Sequence, residues 1–322
     1  MHDNDSYRHF DERKKDGAGA MYEMEFPSPE VGSSDNGVTM VIALQGYADA
    51  GHAVTRSAQH LLDALDSRPI ATFNNDELMD YRSRRPAVTI ADSKVVDIDK
   101  LNLSLHVLRD TEGHPFLLLS GPEPDLRWDA FAGAVADLAD RFDVAEAISL
   151  YAAPMTVPHT RPMVITAHGT DRKSVQNFHS WPIQMQVPGA ASLQIESAIG
   201  ARGRNTVGLT AHVPHYVSGS EYPEAILRLL EGVSKLADLS LPLGAIEKDA
   251  ERSLEQLAEL TEENQEVAAV VQILEQQYDE ESARLKELRS NPLLDDGQVP
   301  SGEELGAEFE RFLAERDPGE NQ

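Results

Sequence analysis

The chain of 322 residues contains no cysteine. That excludes disulfide staples, thiolate nucleophiles and the thiolate ligands common in structural zinc sites. No apolar run approaches the ~18 to 20 residues a membrane-spanning helix needs, so no insertion in a bilayer is expected. Basic residues are scarce: 28 Lys and Arg stand against 55 Asp and Glu, for a formal net charge of -27. This excess repels phosphate backbones and anionic lipid surfaces, and neither nucleic acid nor membrane is expected as a partner. The opening MHDNDSYRHFDERKKDG has no apolar stretch behind a basic start, which predicts no secretory signal and a cytoplasmic protein. Several signatures are also missing. The chain has no GxGxxG, no Gly-Lys-Ser/Thr, no HExxH and no GxSxG, so the standard phosphate cradles, zinc-protease helices and nucleophile elbows are excluded. No cofactor and no metal is expected.

What is present reads as alternating strands and helices. Residues 1–36 carry no sustained period and predict a flexible tail, with Met24, Phe26 and Val31 available to dock on the body. VTMVIAL (38–44) is an apolar run of strand length that ends at Gln45-Gly46. After it Val54, Ala58, Leu61 and Leu65 recur at helical spacing, and PIATFN (69–74) supplies a second strand, as in a right-handed parallel crossover. Between Asp76 and Arg109 the runs VTIAD, KVVDI and LSLHVLRD alternate between turn residues, which predicts an antiparallel hairpin excursion or flap. Arg82, Arg84 and Arg85 precede it; they either pair with the chain's own carboxylates or bind an anion or partner. PFLLL (115–119), VAEAISL (144–150), PMVITA (162–167), a short run around Ile183 to Val187 and NTVGLTAHV (205–213) are further strands. The stripes Trp128, Phe131, Val135, Leu138, Phe142 and Ile226, Leu229, Leu230, Val233, Leu236 mark helices, and another helix is expected in VPGAASLQIESAIGARG. The class is α/β: a mostly parallel central sheet flanked by helices, with a body over residues 37–241. A helical appendage over 242–291 follows, broken near Thr261 to Asn264 into a hairpin that packs on the body or on a partner. The acidic tail 292–322 has room for one helix around Phe309 and Leu313.

Ligands in open α/β sheets gather beyond the carboxyl ends of the strands. Five loops are expected on that rim: GYADAGHA, SGPEPD, AAPMTVPHTRP, HGTDRK and HVPHY. They bring Asp49, His52, Glu123, Asp125, His159, Arg161, His168, His212 and His215 as candidate ligand- or partner-binding residues. His212 and His215 are spaced as HxxH, yet Pro214 between them is at odds with a regular helix, and no carboxylate motif accompanies them. Ser120 and Ser149 sit at strand ends outside any nucleophile motif. Asp49 has the position of a cap on the first helix, and Pro154, Pro158 and Pro162 stiffen their loop. No catalytic residue is assigned.

GYADAGHA, DYRSRRP, GPEPDLRWDAF, AAPMTVPHTRP, VPGAASL and AHVPHYVSGSEYPEA, in this order, resemble the bacterial branch of the proteasome assembly chaperone 2-like (PAC-like) family. The resemblance covers about Gly37 to Leu241 and continues loosely into the ExxYD run at Glu275 to Asp279. It implies a body similar to the nucleoside phosphorylase type, a helical C-terminal appendage and self-association, with a trimer as the expected homo-oligomer. Eukaryotic relatives bind proteasome α subunits during assembly, without catalysis. The function implied is that of a non-enzymatic protein-binding, assembly-chaperone-like protein whose partners include its own subunits. The alternative is an enzyme, hydrolase or nucleoside phosphorylase-like, acting on a small molecule at the rim.

Overall fold

The structure, a computed structural model, describes residues 21–27, 29, 31, 37–180 and 184–290. The expected acidic tail with its helix near Phe309, and most of the expected N-terminal tail, lie outside the described residues. Tyr22–Met24 forms β1, Val38–Gln45 β2, Ala53–Ala64 α1, Asp66–Phe73 β3 and Asn75–Leu78 the short α2. Val88–Ala91 and Lys94–Ile98 are β4 and β5, Ser104–Arg109 is β6, Pro115–Pro122 β7, Trp128–Arg141 α3 and Val144–Met155 β8. Ile165–Gly169 is β9, Arg172–Val175 α4, Ala191–Gly200 α5, Asn205–Pro214 β10, Pro223–Ala237 α6, Gly244–Glu263 α7 and Gln265–Ser290 α8.

Eight strands make one sheet in the order β1-β3-β6-β7-β2-β8-β10-β9. Its four middle strands, β7, β2, β8 and β10, are parallel, and antiparallel strands flank them on both sides. The apolar run of β2 explains its central place: Val41 and Ala43 face one core, Met40, Ile42 and Leu44 the other, as a strand of period two buried on both sides requires. Leu61 of α1 and Leu229 and Leu230 of α6 fill the first core; Phe131 of α3 and Ile195 of α5 fill the second. Each such side chain, taken fully out of water, contributes about 1.5–3 kcal/mol. α6 begins with Pro223 in its first turn, where a missing N–H costs nothing.

The appendage packs on its own body. Asp110, in the turn between β6 and β7, accepts the amide of Ser240 at 2.9 Å and so holds the α6–α7 connection at the end of the sheet remote from the parallel strands' carboxyl ends. His60 Nε2 lies 2.8 Å from the carbonyl of Pro242 in the same connection. From there α7, at ~1.5 Å per residue, carries the chain some ~30 Å back to the strand-end side. Asn264 breaks the run as expected: its side chain accepts the amides of Glu266 at 3.0 Å and Val267 at 3.3 Å, starting α8.

Three expectations are corrected. LSLHVLR is not part of the flap: it is β6, buried in the main sheet between β3 and β7, and only β4 and β5 form the separate hairpin. The expected parallel relation of β2 and β3 across α1 is present, with β6 and β7 lying between the two strands. The strand read from PMVITA extends through His168 and Gly169 as β9 and pairs antiparallel with β10. Residues 184–187 have no regular structure, while Ile183 lies outside the described residues. Near the N-terminus, Val31 is buried and Met24 packs on the core, whereas Phe26 is exposed.

Candidate functional site

The register sets the rim. Gln45 stands opposite Pro122, and Met155 opposite Pro214, so the segments after β2, β7, β8 and β10 emerge together. The segment after β3, with Arg82, Arg84 and Arg85, joins them because β3 shares their direction. His168 does not. β9 runs the other way and His168 pairs with Gly208 near the start of β10, so HGTDRK lies towards the opposite end of the sheet. The expected rim of five loops therefore contains four of them, and the arginine segment takes the fifth place.

On the β7 side the polar groups hold local structure. Glu123 is buried and accepts the Ala191 amide at 2.6 Å, placing a carboxylate on the first turn of α5. Gly46 permits this, because a Cβ there would collide with the Glu123 carboxylate. Asp125 accepts the Asp80 amide at 2.9 Å and Arg84 Nε at 3.2 Å, so one arginine of the cluster pairs with the chain's own acid. Asp49 caps α1 from a distance, accepting the amides of Val54 at 2.7 Å and Thr55 at 3.3 Å; burial pushes its carboxyl pKa up. His52 is exposed, at φ 51° in the left-handed region, just before α1.

On the β8 and β10 side they hold α8. Arg161 donates from Nε and Nη2 to the two oxygens of Asp279 at 2.9 and 2.8 Å, and from Nη1 to Glu275 at 3.0 Å. Thr160 donates to the same Glu275 oxygen, and the Tyr278 hydroxyl to the Pro162 carbonyl at 2.9 Å. The hydrogen bonds to Asp279 raise the Arg161 pKa, and Arg161 holds the Asp279 carboxyl below its usual range. These two-oxygen, charge-assisted contacts fix both angle and distance. The prolines of the loop thus present an arginine to the chain's own helix.

The histidines do not converge. The backbone N–H of His159 donates to the Tyr216 hydroxyl oxygen at 2.8 Å, and that oxygen lies 2.7 Å from His159 Nδ1. The other ring nitrogen, Nε2, is buried with no hydrogen-bond partner. Burial lowers the His159 pKa. His212 lies within β10, its Nε2 3.2 Å from the Thr166 hydroxyl, and burial followed by the charge of His179 lowers its pKa to about 4. His215 is exposed in a single turn beyond β10. Towards the other end His168 Nε2 meets Glu196 at 2.9 Å, and Glu196 also accepts the buried Tyr151 hydroxyl at 2.6 Å. The Glu196 hydrogen bond raises the His168 pKa, and Gly208 leaves room for the ring. Among the described residues no three His, Asp or Glu side chains are grouped to hold a metal ion.

Where α7 and α8 meet the rim a half-open cavity of about 290 Å³ remains. Val217, Leu257, Leu260, Val267, Val270 and Val271 make its apolar walls; His159, Tyr216, Thr261 and Glu266 complete it. A groove of this lining accepts apolar side chains better than a charged substrate.

The sequence pattern of the PAC2 family matches residues 43–261. The chain belongs to the PAC2 family. No curated protein matches it. A protein of unknown function from Corynebacterium glutamicum is 57% identical with a TM-score of 0.79, covering 82% of this chain and 99% of its own. Another of unknown function, from Mycobacterium tuberculosis, is 44% identical with a TM-score of 0.80, covering 85% and 93%. A Mycobacterium tuberculosis proteasome-assembly chaperone homologue is 26% identical with a TM-score of 0.67, covering 73% and 100%. Within this PAC2 protein, the residues that join the site without having been candidates for it are Tyr216, from the HVPHY loop, and Glu275, Tyr278 and Asp279, from the ExxYD run. The spacing of the last three, i, i+3 and i+4, puts them on one helix face, a legible signal for a contact with a cationic loop.

Proposed function

We propose that this PAC2-family protein is a non-enzymatic, assembly-chaperone-like protein that works in the cytoplasm, binds protein partners and self-associates as a trimer. The observation that carries this reading is the use of Arg161: the one arginine among the candidate residues is committed to Glu275 and Asp279 of the chain's own α8. What the rim leaves open is an apolar groove and not a convergence of titratable groups. The kinship with a proteasome-assembly chaperone homologue supports the same direction. Among the described residues no helix is long and apolar enough to cross a membrane.

The test is capture from a lysate of the source organism on the immobilised full chain, paired with a turnover screen on nucleosides, phosphorylated metabolites and esters. The reading expects a protein retained in stoichiometric amount and no turnover above background. Retention of nothing, with a turnover that disappears in the His159→Ala, His215→Ala variant, would favour the enzyme instead.

A further inference from the structure

The strand-end rim is open on its β7 side. The amides of Asp125 and Leu126 donate to the Leu78 carbonyl at 2.9 and 3.0 Å, and Arg84 reaches the Gln45 carbonyl at 3.5 Å, so the segment 79–85 lies across the ends of β2 and β7. Tyr47 stands just beyond Gln45, and Val187 just before Gly189, which lies against the Trp128 ring at the start of α3. The side chains gathered by these contacts are apolar and exposed: Tyr47 77%, Val187 59%, Leu126 49% and Tyr81 40%. Cations border them. Arg84 pairs with Asp125, while Arg82 and Arg85 are exposed and enter no ion pair among the described residues. In a chain of net charge -27, two open arginines beside an exposed apolar cluster fit an acidic, amphipathic segment.

The chain itself supplies one. Between Pro300 and Pro318, Ser301 and Glu304 have the spacing of a capping box, and Leu305, Phe309, Phe312 and Leu313 follow at i, i+4, i+7 and i+8. On a helix those four share one face. Glu304, Glu308 and Glu315 fall along one flank of it, and Glu303, Glu310 and Asp317 along the other. Charge decides between the two apolar surfaces of the rim. Residues 244–290, around the α7–α8 groove, hold 13 acidic side chains against 5 basic and repel this segment, whereas the β7 side offers Arg82 and Arg85. Reach is sufficient as well. β8 and β3 stand four strand spacings apart, about 19 Å, and the part of α8 beyond Asp279 adds about 16 Å. Extended, residues 291–302 span up to ~40 Å.

We propose that residues 303–317 of this chain form an amphipathic helix that seats on the rim patch of Tyr47, Tyr81, Leu126 and Val187, with its flanking carboxylates against Arg82 and Arg85. The acidic tail is then a strap that closes this face of the rim to other acidic segments.

Because the chain has no cysteine, an introduced pair reports the contact by itself. In the full chain Gly306→Cys is combined with Leu126→Cys, with Tyr47→Cys, or with Leu260→Cys of the α7–α8 groove; the last three positions are exposed, and circular dichroism verifies each fold. Under mild oxidant the pairs with Leu126→Cys and Tyr47→Cys are expected to close within one chain, as a shifted band at single-chain mass on a non-reducing gel. Their closure is expected to be on the order of tenfold faster than that of the Leu260→Cys pair, since a seated segment has the higher local concentration. Adding Phe309→Asp, or Arg82→Glu with Arg85→Glu, is expected to slow it several-fold, as is raised salt. Equal rates in all three pairs, or a rate unmoved by those substitutions, would overturn the docking. Products only at twice the chain's mass would put the segment on another copy and overturn the strap.

Discussion

His168 and Arg161 show how a polar side chain of the same general appearance in sequence takes different work from its strand direction. Arg161 follows a parallel strand and meets α8; His168 belongs to the antiparallel β9 and meets Glu196 of α5. The raised His168 pKa gives the pair a pH signature with a definite sign. Its contribution is fully present below the unfolded histidine pKa, ~6.5, and is lost as pH rises through the higher folded value. With the ring half exposed, the effect is modest. The unfolding midpoint of wild type relative to His168→Gln is therefore expected to fall between about pH 5.5 and about pH 8.5. A difference constant across that range would assign the pair no role in charge. His212 acts in the opposite sense: burial holds its folded pKa at about 4, so its contribution is lost as pH falls below the unfolded value of ~6.5, equally in wild type and His168→Gln.

At the scale of elements, α1 depends on a residue that is not its immediate neighbour. Asp49 reaches past Gly51 and His52 to the amides of Val54 and Thr55, so Asp49→Ala is expected to cost about 1–2 kcal/mol, the usual worth of a strong helix cap. Urea unfolding measures it, and a loss confined to a few tenths would mean water replaces the carboxylate. The capping role was legible in the sequence from Asp49 standing just ahead of an amphipathic run. So were β2, β7, β8 and β10, whose continuous apolar runs admit only burial on both faces. The place of β6 and the direction of β9 were not, because period and turn residues describe a strand's faces and ends but not its neighbour. LSLHVLR alternates as a flap strand would, and only its partners Phe116 to Ser120 show otherwise. The rim was legible as a location; that its arginine serves an intramolecular contact required the i, i+3, i+4 face of α8 to be brought opposite it.

For the whole molecule, the route of the chain is what makes a surface. The turn at Asp110 and Ser240 sends α7 the length of the sheet, and α8 then closes over the strand ends, so that the groove exists only while α8 is seated. Arg161 is the principal polar anchor of that seat. Amide hydrogen exchange on wild type and Arg161→Ala tests this most directly. Slow exchange is expected in α8 around Val271 to Asp279 in wild type, with several-fold faster exchange there in Arg161→Ala and unchanged protection in β2 and β8. Equal exchange of α8 in the two proteins would contradict it.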